Sequence, residues 1–225
     1  MSSVWVVIPA FNEEKEIVQT IRSIKQLDGI SHIMVVNDGS TDQTSVLAKA
    51  EGVEVLDLYP NRGKGGAMNA AIPHIEGDII VFLDADLGDS AAEAVKIIAP
   101  VKEKQCDICI AAFPPPRRKG GFGLVKGTAA WAIHRMGGME ARAPLSGQRA
   151  MTREVMESVT PFREAFGVEL GMTLRALAQG FKVKEVLTMM RHHETGRDLK
   201  GFRHRGRQWL DVLKVLWQET RRKKR

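Results

Sequence analysis

Asp78-Ile-Ile-Val-Phe-Leu-Asp-Ala-Asp-Leu-Gly-Asp89 places an unbroken apolar run, Ile79 to Leu83, directly ahead of two carboxylates, Asp84 and Asp86. The run is too short for a helix of ordinary length and is rich in β-branched and aromatic residues. It therefore predicts a strand buried on both faces of a parallel sheet. Open α/β sheets bind their ligands just beyond the C-terminal ends of such strands. An Asp-x-Asp pair at that place suits a hard divalent cation such as Mg2+ or Mn2+, which takes carboxylate oxygens and shares its coordination with substrate phosphates. Taken alone, the same residues also read as a solvated acidic turn.

Upstream, three more strands precede it. Val4 to Ile8 predicts a first strand, stopped at Pro9, with Asn12 placed to cap the helix whose apolar face is Ile17, Ile21, Ile24 and Leu27. Ile33 to Val36 is a second strand, followed by Asn37-Asp-Gly-Ser-Thr-Asp42, a turn dense in residues that accept left-handed backbone and cap helices. Val53 to Leu56 is a third, followed by the glycine-rich Asn61-Arg-Gly-Lys-Gly-Gly-Ala67 and a helix. Alternation of strand and helix with short links predicts a parallel sheet wound by right-handed crossovers.

Downstream, a helix from Asp89 to about Lys104 leads to a fifth strand, Asp107 to Ala112. Phe113-Pro-Pro-Pro-Arg-Arg-Lys-Gly-Gly-Phe-Gly123 predicts a basic loop beside the strand ends. Helices are expected over 124–136, 150–160 and 169–179, and an edge strand over 181–189. A last helix carries Trp209, Leu210, Leu213, Leu216 and Trp217 on one stripe and ends in Arg221-Arg-Lys-Lys-Arg225.

A chain of 225 residues is long enough for one substantial α/β domain. The net charge of +6 is uneven, because residues 182–225 hold 14 Lys/Arg against 5 Asp/Glu. Such a tail suits phosphates, anionic lipid or nucleic acid, and charge alone does not choose. Cys106 and Cys109, with no second pair or nearby histidine, read as reduced core residues rather than a zinc site, which suits the cytoplasm. No basic region followed by a long apolar segment opens the chain, and no run approaches the length of a membrane span.

Four strand-end loops thus gather polar groups that a nucleoside diphosphate requires: Asn12 and Glu13, Asp38, Gly63 to Gly65 with Lys64, and Asp84 with Asp86. Carboxylates accept from ribose hydroxyls and base N–H groups, while Lys64 and free backbone N–H groups suit phosphate. At these loops the sequence resembles the family 2 glycosyltransferases of the GT-A fold. Val7-Ile-Pro-Ala-Phe-Asn-Glu13, Val36-Asn-Asp-Gly-Ser-Thr-Asp42, Asn61-Arg-Gly-Lys-Gly65 and Leu83-Asp-Ala-Asp86 stand in that family's order and spacing. The resemblance implies one GT-A domain over residues 1–225, with a nucleotide-sugar half to residue 112, an acceptor and metal half to 200, and a basic terminal helix. It implies a donor linked to UDP or GDP, held by Pro9, Ala10, Asn12, Glu13, Asp38, Gly63, Lys64, Asp84 and Ala85. It also implies Mn2+ or Mg2+ on Asp86, acting as a Lewis acid on the departing diphosphate.

Beyond residue 120 the chain is similar to the glucosyl-3-phosphoglycerate synthases, through the basic glycine-containing loop, Pro144-Leu-Ser-Gly-Gln148, Gly167-Val-Glu-Leu-Gly171 and Arg191-His-His193. That similarity implies His192 as a second metal ligand, with His193 where an arginine is usual. Glu169 is the mechanistic candidate, either as a general base for an acceptor hydroxyl or as a group orienting sugar hydroxyls, and a helix-N-terminal glutamate is its plain structural role. Arg117, Arg118, Lys126, Gly127, Thr128, Ser146, Gly147 and Gln148 are the acceptor candidates, with the arginines suited to phosphate or carboxylate. Two acceptor classes fit, a small phosphorylated acid or a polyprenyl phosphate. The terminal stripe suits peripheral membrane contact, packing on the protein's own core, or a homodimer.

Rival readings lack their own marks. A haloacid-dehalogenase phosphatase would show Thr or Val where Gly88 stands, and a sugar nucleotidyltransferase a Gly-x-Gly-Thr-Arg turn where Pro9-Ala-Phe-Asn12 stands. Gly63-Lys-Gly65 lacks the spacing of an ATP-binding loop. A basic nucleic-acid-binding module would leave the four strand-end loops without a role, so no nucleic-acid partner is expected.

Overall fold

The computed structural model describes residues 2–114, 123–162 and 167–191. Seven strands form one sheet: β1 (Val4–Ala10), β2 (Ile30–Asn37), β3 (Glu54–Asp57), β4 (Ile79–Phe82), β5 (Ile108–Ala112), β6 (Arg149–Thr152) and β7 (Val183–Leu187). Their order is β3-β2-β1-β4-β6-β5-β7. The first four are parallel neighbours, so their C-terminal ends share one edge. β6 runs antiparallel to both β4 and β5, and β7 lies parallel to β5 at the far edge.

The helices are α1 (Ile17–Lys25), α2 (Thr44–Ala50), α3 (Gly63–Ala71), α4 (Val95–Lys102), α5 (Gly123–Gly137), α6 (Arg153–Val159) and α7 (Val168–Ala178). They cover both faces of the sheet, which is why the strands read as continuous apolar runs rather than alternating ones. Val6, Ile8, Val35, Val81 and Leu83 face one layer with Ile17, Ile21 and Ile24 of α1 and Ile97 of α4. Val7, Met34, Val36, Ile80 and Phe82 face the other with Met68 of α3, Met156 of α6 and Met172 of α7. A smaller cluster joins α5 to α7 through Val125, Ala129, Ile133, Leu170 and Leu174.

Four expectations differ from the structure. The helix expected from Asp89 to about Lys104 is a 3-10 helix over Gly88–Ala94 and becomes α-helical only at Val95, as α4. β1 does not stop at Pro9 but runs to Ala10, with Pro9 opposite Val36 of β2. β4 pairs with β1 only from Val4 to Val7, so Pro9 lies where one side of β1 is open and its missing N–H costs no ladder bond. The helix expected over 150–160 begins only at Arg153, because residues 149–152 are claimed by β4 and β5 as β6. Thr152 then caps α6, its hydroxyl accepting from the Val155 N–H at 3.3 Å. Asn12 does not cap α1. Its backbone turns left-handed (φ 57°), and its side chain accepts from the Thr41 N–H at 2.8 Å, tying the β1 loop to the β2 loop.

Both cysteines are free and buried, as expected for core residues. Among the described residues no helix is long and apolar enough to cross a membrane. Arg117, Arg118, His192, His193 and the basic stripe of residues 209–225 lie outside the described residues.

Candidate active site

The ends of β1, β2 and β4 and the start of α3 enclose a cleft of about 280 Å³ lined by Pro9, Ala10, Phe11, Glu13, Asp38, Lys64, Ala67, Asp84, Ala85 and Asp86. Asp38 is buried at the end of β2, and its Oδ1 accepts from the Arg62 N–H at 2.8 Å while its carbonyl accepts from Asn61 Nδ2 at 2.8 Å. One carboxylate therefore shapes the glycine-rich loop that opens α3. Gly39 makes this close approach feasible: its φ is 74°, and a Cβ there would sit 3.1 Å from the Asn61 nitrogen. Asn12 and Gly63 brace these loops from outside the cleft lining.

On the opposite wall, Lys64 Nζ lies 2.6 Å from Asp84 Oδ1 and 3.0 Å from Glu169 Oε1. Burial pulls the ammonium's pKa down, but the two carboxylates outweigh it and hold Lys64 above the ordinary lysine value. The second oxygen of Asp84 accepts from Gln148 Nε2 at 2.6 Å, and Gln148 Oε1 accepts from the Ser146 hydroxyl at 3.3 Å. Lys64 comes from the first turn of α3 and Glu169 from the first turn of α7, so this cluster joins two helices about a hundred residues apart in the chain.

Gly147 is pressed against that cluster. A Cβ built on it would overlap Lys64 Nζ and lie 3.0 Å from both Asp84 carboxylate oxygens. Gly147→Ala should push the ammonium off Asp84 and weaken nucleoside diphosphate binding by about tenfold, near the value of one charge-assisted hydrogen bond. Isothermal titration with UDP checks it, and unchanged affinity would show that Lys64 has room to move.

Across the cleft the balance is negative. Burial, together with the charges of Asp86, Asp42, Asp84 and Glu16, pushes Glu13 up to about 7. A carboxyl whose pKa rises on folding binds its proton more tightly in the folded state, so stability falls as pH rises from about 4.5 through 7. Glu13→Gln, which stays neutral, should match wild type at pH 4 and exceed it at pH 8. The expected gain is ~1–2 kcal/mol once solvent screening of a half-exposed carboxylate is allowed for. Thermal melts at the two pH values check the sign.

Of the acceptor candidates, Ser146, Gly147 and Gln148 meet the Asp84 side of the site, with Gln148 fully buried behind that carboxylate. Lys126 and Gly127 are exposed on α5 and, with Thr128, stand outside the cleft lining. Two contributors were missed in the sequence. Phe11, 47% exposed, offers an aromatic wall beside Asp38, and its place inside the Pro9-to-Glu13 motif was the available signal. Arg149, fully buried on β6, had no such signal, because nothing local marks residues 149–152 as a strand.

A mostly parallel sheet whose strand ends carry a buried aspartate, a lysine on a glycine-rich helix start and an Asp-x-Asp pair defines an enzyme of the GT-A fold class. Residues 5–142 match the model described as glycosyl transferase family 2, and the chain belongs to that family. An uncharacterized protein of Methanocaldococcus jannaschii is 34% identical over 198 residues, covering 81% of this chain and 79% of that protein. The glucosyl-3-phosphoglycerate synthase of Mycolicibacterium smegmatis is 30% identical over 205 residues, covering 76% of this chain but only 62% of the synthase. Among solved structures, the glucosyl-3-phosphoglycerate synthase of Mycobacterium tuberculosis with Mn2+, UDP and phosphoglyceric acid matches 97% of this chain and 78% of that one. The TM-score is 0.80 and the identity 26%. The same enzyme with Mg2+ and UDP matches at a TM-score of 0.81 and 25% identity, covering 97% of this chain and 79% of that one.

Proposed function

We propose that this protein transfers a hexose from a UDP-linked donor to a phosphate-bearing acceptor, with Mn2+ or Mg2+ as cofactor. The observation that carries the reading is the cleft itself. Asp38, Lys64, Asp84 and Asp86 converge there in a fold that matches, over 97% of the chain, a synthase solved with UDP-glucose, Mn2+ and phosphoglyceric acid.

In this reading Asp38 accepts from the base while the Pro9-to-Phe11 segment walls the nucleoside. Lys64 meets the diphosphate, and Asp84 takes a ribose or hexose hydroxyl. The donor set fits a hard divalent ion: carboxylate oxygens, in a local excess of negative charge that adds to burial in lifting Glu13 to about 7. The ion would be held by Asp86, by His192, which lies outside the described residues, and by the donor's own phosphates. Bound there, the ion would supply Lewis-acid stabilisation of the leaving diphosphate. Glu169, beside Lys64 at the start of α7, orients a hydroxyl of the donor or the acceptor.

The test is release of UDP or GDP from a panel of their hexose conjugates, with Mn2+ or with EDTA. One arm adds 3-phosphoglycerate and another undecaprenyl phosphate in detergent. Acceptor-stimulated, EDTA-sensitive release is expected. The reading fails if no nucleotide sugar binds, or if neither acceptor accelerates release.

A further inference from the structure

Arg149 has an unusual environment. It is among the largest fully buried side chains of the protein, yet its guanidinium engages two carbonyl oxygens and a hydroxyl rather than a carboxylate. One terminal nitrogen donates to the Glu169 carbonyl at 3.1 Å and lies 3.5 Å from the Thr173 hydroxyl. The other donates to the Ser146 carbonyl, and Nε is buried without a partner. A buried cation without a carboxylate at bonding distance is costly, and an apolar side chain of similar volume often replaces even a paired buried charge without loss of stability. Glu169, Asp84 and Glu185 attract the cation from a distance, yet its bonds go to carbonyls, which points to a role beyond charge balance.

Its partners suggest what that role is. Ser146 begins the segment whose Gly147 abuts Lys64 and whose Gln148 holds Asp84, while Glu169 sits in the first turn of α7 with its carboxylate on Lys64. The two carbonyls belong to separate segments of the chain, and the rigid planar fork of an arginine holds both in a fixed geometry that the rotatable donors of a lysine ammonium do not impose. We propose that Arg149 is a positioning residue that clamps the Ser146-to-Gln148 segment to the start of α7, fixing Asp84 and Glu169 in register across the transfer site. The inference builds on the proposed sugar-transfer reading but concerns the geometry of these residues and can be tested without turnover.

The experiment compares wild type, Arg149→Met and Arg149→Lys in three measurements. Hydrogen exchange of peptides spanning 144–148 and 167–173 should accelerate in both segments together in Arg149→Met, with peptides of β1 and β2 unchanged. UDP affinity should fall by no more than the roughly tenfold loss expected of Gly147→Ala, because the clamped segments reach the nucleotide only through Lys64 and Asp84. Turnover at saturating donor should fall about 100-fold, the scale of a small misplacement of reacting groups. Arg149→Lys, keeping the charge and one carbonyl bond, should lie between the two in both exchange and turnover. It also serves if the methionine variant does not fold.

Unchanged exchange in the two segments would overturn the clamp. So would a general rise in exchange with a loss of UDP affinity beyond that limit, which marks an ordinary stabilising residue. If wild type itself turns over no sugar nucleotide, the transfer reading fails, while the exchange pattern still decides the clamp.

Discussion

Asp86→Asn is expected to lower sugar transfer by about 1,000-fold, ~4 kcal/mol of transition-state stabilisation, while making the metal-free protein more stable at pH 8. The two effects share one cause. After burial, Asp86 is the strongest of the charges that lift Glu13, and it adds repulsion that a bound cation would remove. Asparagine keeps the shape and deletes the charge. Glu13 then ionises with less opposition, and the gain should appear at pH 8 and vanish at pH 4, where Glu13 is protonated in both folded and unfolded chains. A double-mutant cycle makes the link specific: in a Glu13→Gln background the stability gain from Asp86→Asn should disappear. Melting temperatures in EDTA and Mn2+ titrations of turnover measure the two halves. Mn2+ activation that survives in Asp86→Asn would remove Asp86 from the metal site, and a destabilised variant at pH 8 would refute the electrostatic account.

The cleft at the ends of β1, β2 and β4 was legible because each part of it is local. Ile79 to Leu83 is a strand by composition, and Asp84 and Asp86 follow it within three residues, so position in the sheet follows from position in the chain. The same holds for Asp38 after β2 and Lys64 at the start of α3. What was not legible depends on partners far away in sequence. β6 is a strand because β4 and β5 flank it, although its four residues carry no alternation and adjoin the helical spacing of Val155, Met156 and Val159. Gln148 stood among the acceptor candidates, and only the pairing of β6 beside it brings its side chain onto Asp84. Asn12 looked like a helix cap, and only the parallel pairing of β1 with β2 brings Thr41 within its reach. Arg149 combines both difficulties: its strand is set by distant pairing, and a basic residue in a polar segment would ordinarily be placed at the surface.

Lys64→Met should have the second large effect, a loss of at least about 1,000-fold in kcat/KM for the donor. The ammonium separates two carboxylates, 2.6 Å from Asp84 and 3.0 Å from Glu169. A diphosphate entering the cleft brings further negative charge to the same place, so the cation is needed both before and after binding. Methionine fills similar volume without charge and leaves Asp84 and Glu169 facing each other across an apolar side chain. The folded protein should lose ~1–3 kcal/mol, less than a fully buried pair would because the Lys64 side chain is about one-third exposed. A lysine whose pKa rises on folding contributes stability that is complete below its ordinary value of 10.5 and disappears only as pH climbs past it. The deficit should therefore be the same at pH 6 and pH 9 as far as Lys64 is concerned, in contrast to the pH-dependent gain at Asp86. Glu169→Gln in the Lys64→Met background separates the two contributions: it should recover much of the lost stability, by removing one unpaired carboxylate, and none of the lost donor affinity. Recovery of donor binding instead would mean that Lys64 acts only to neutralise Glu169 and does not itself meet the diphosphate.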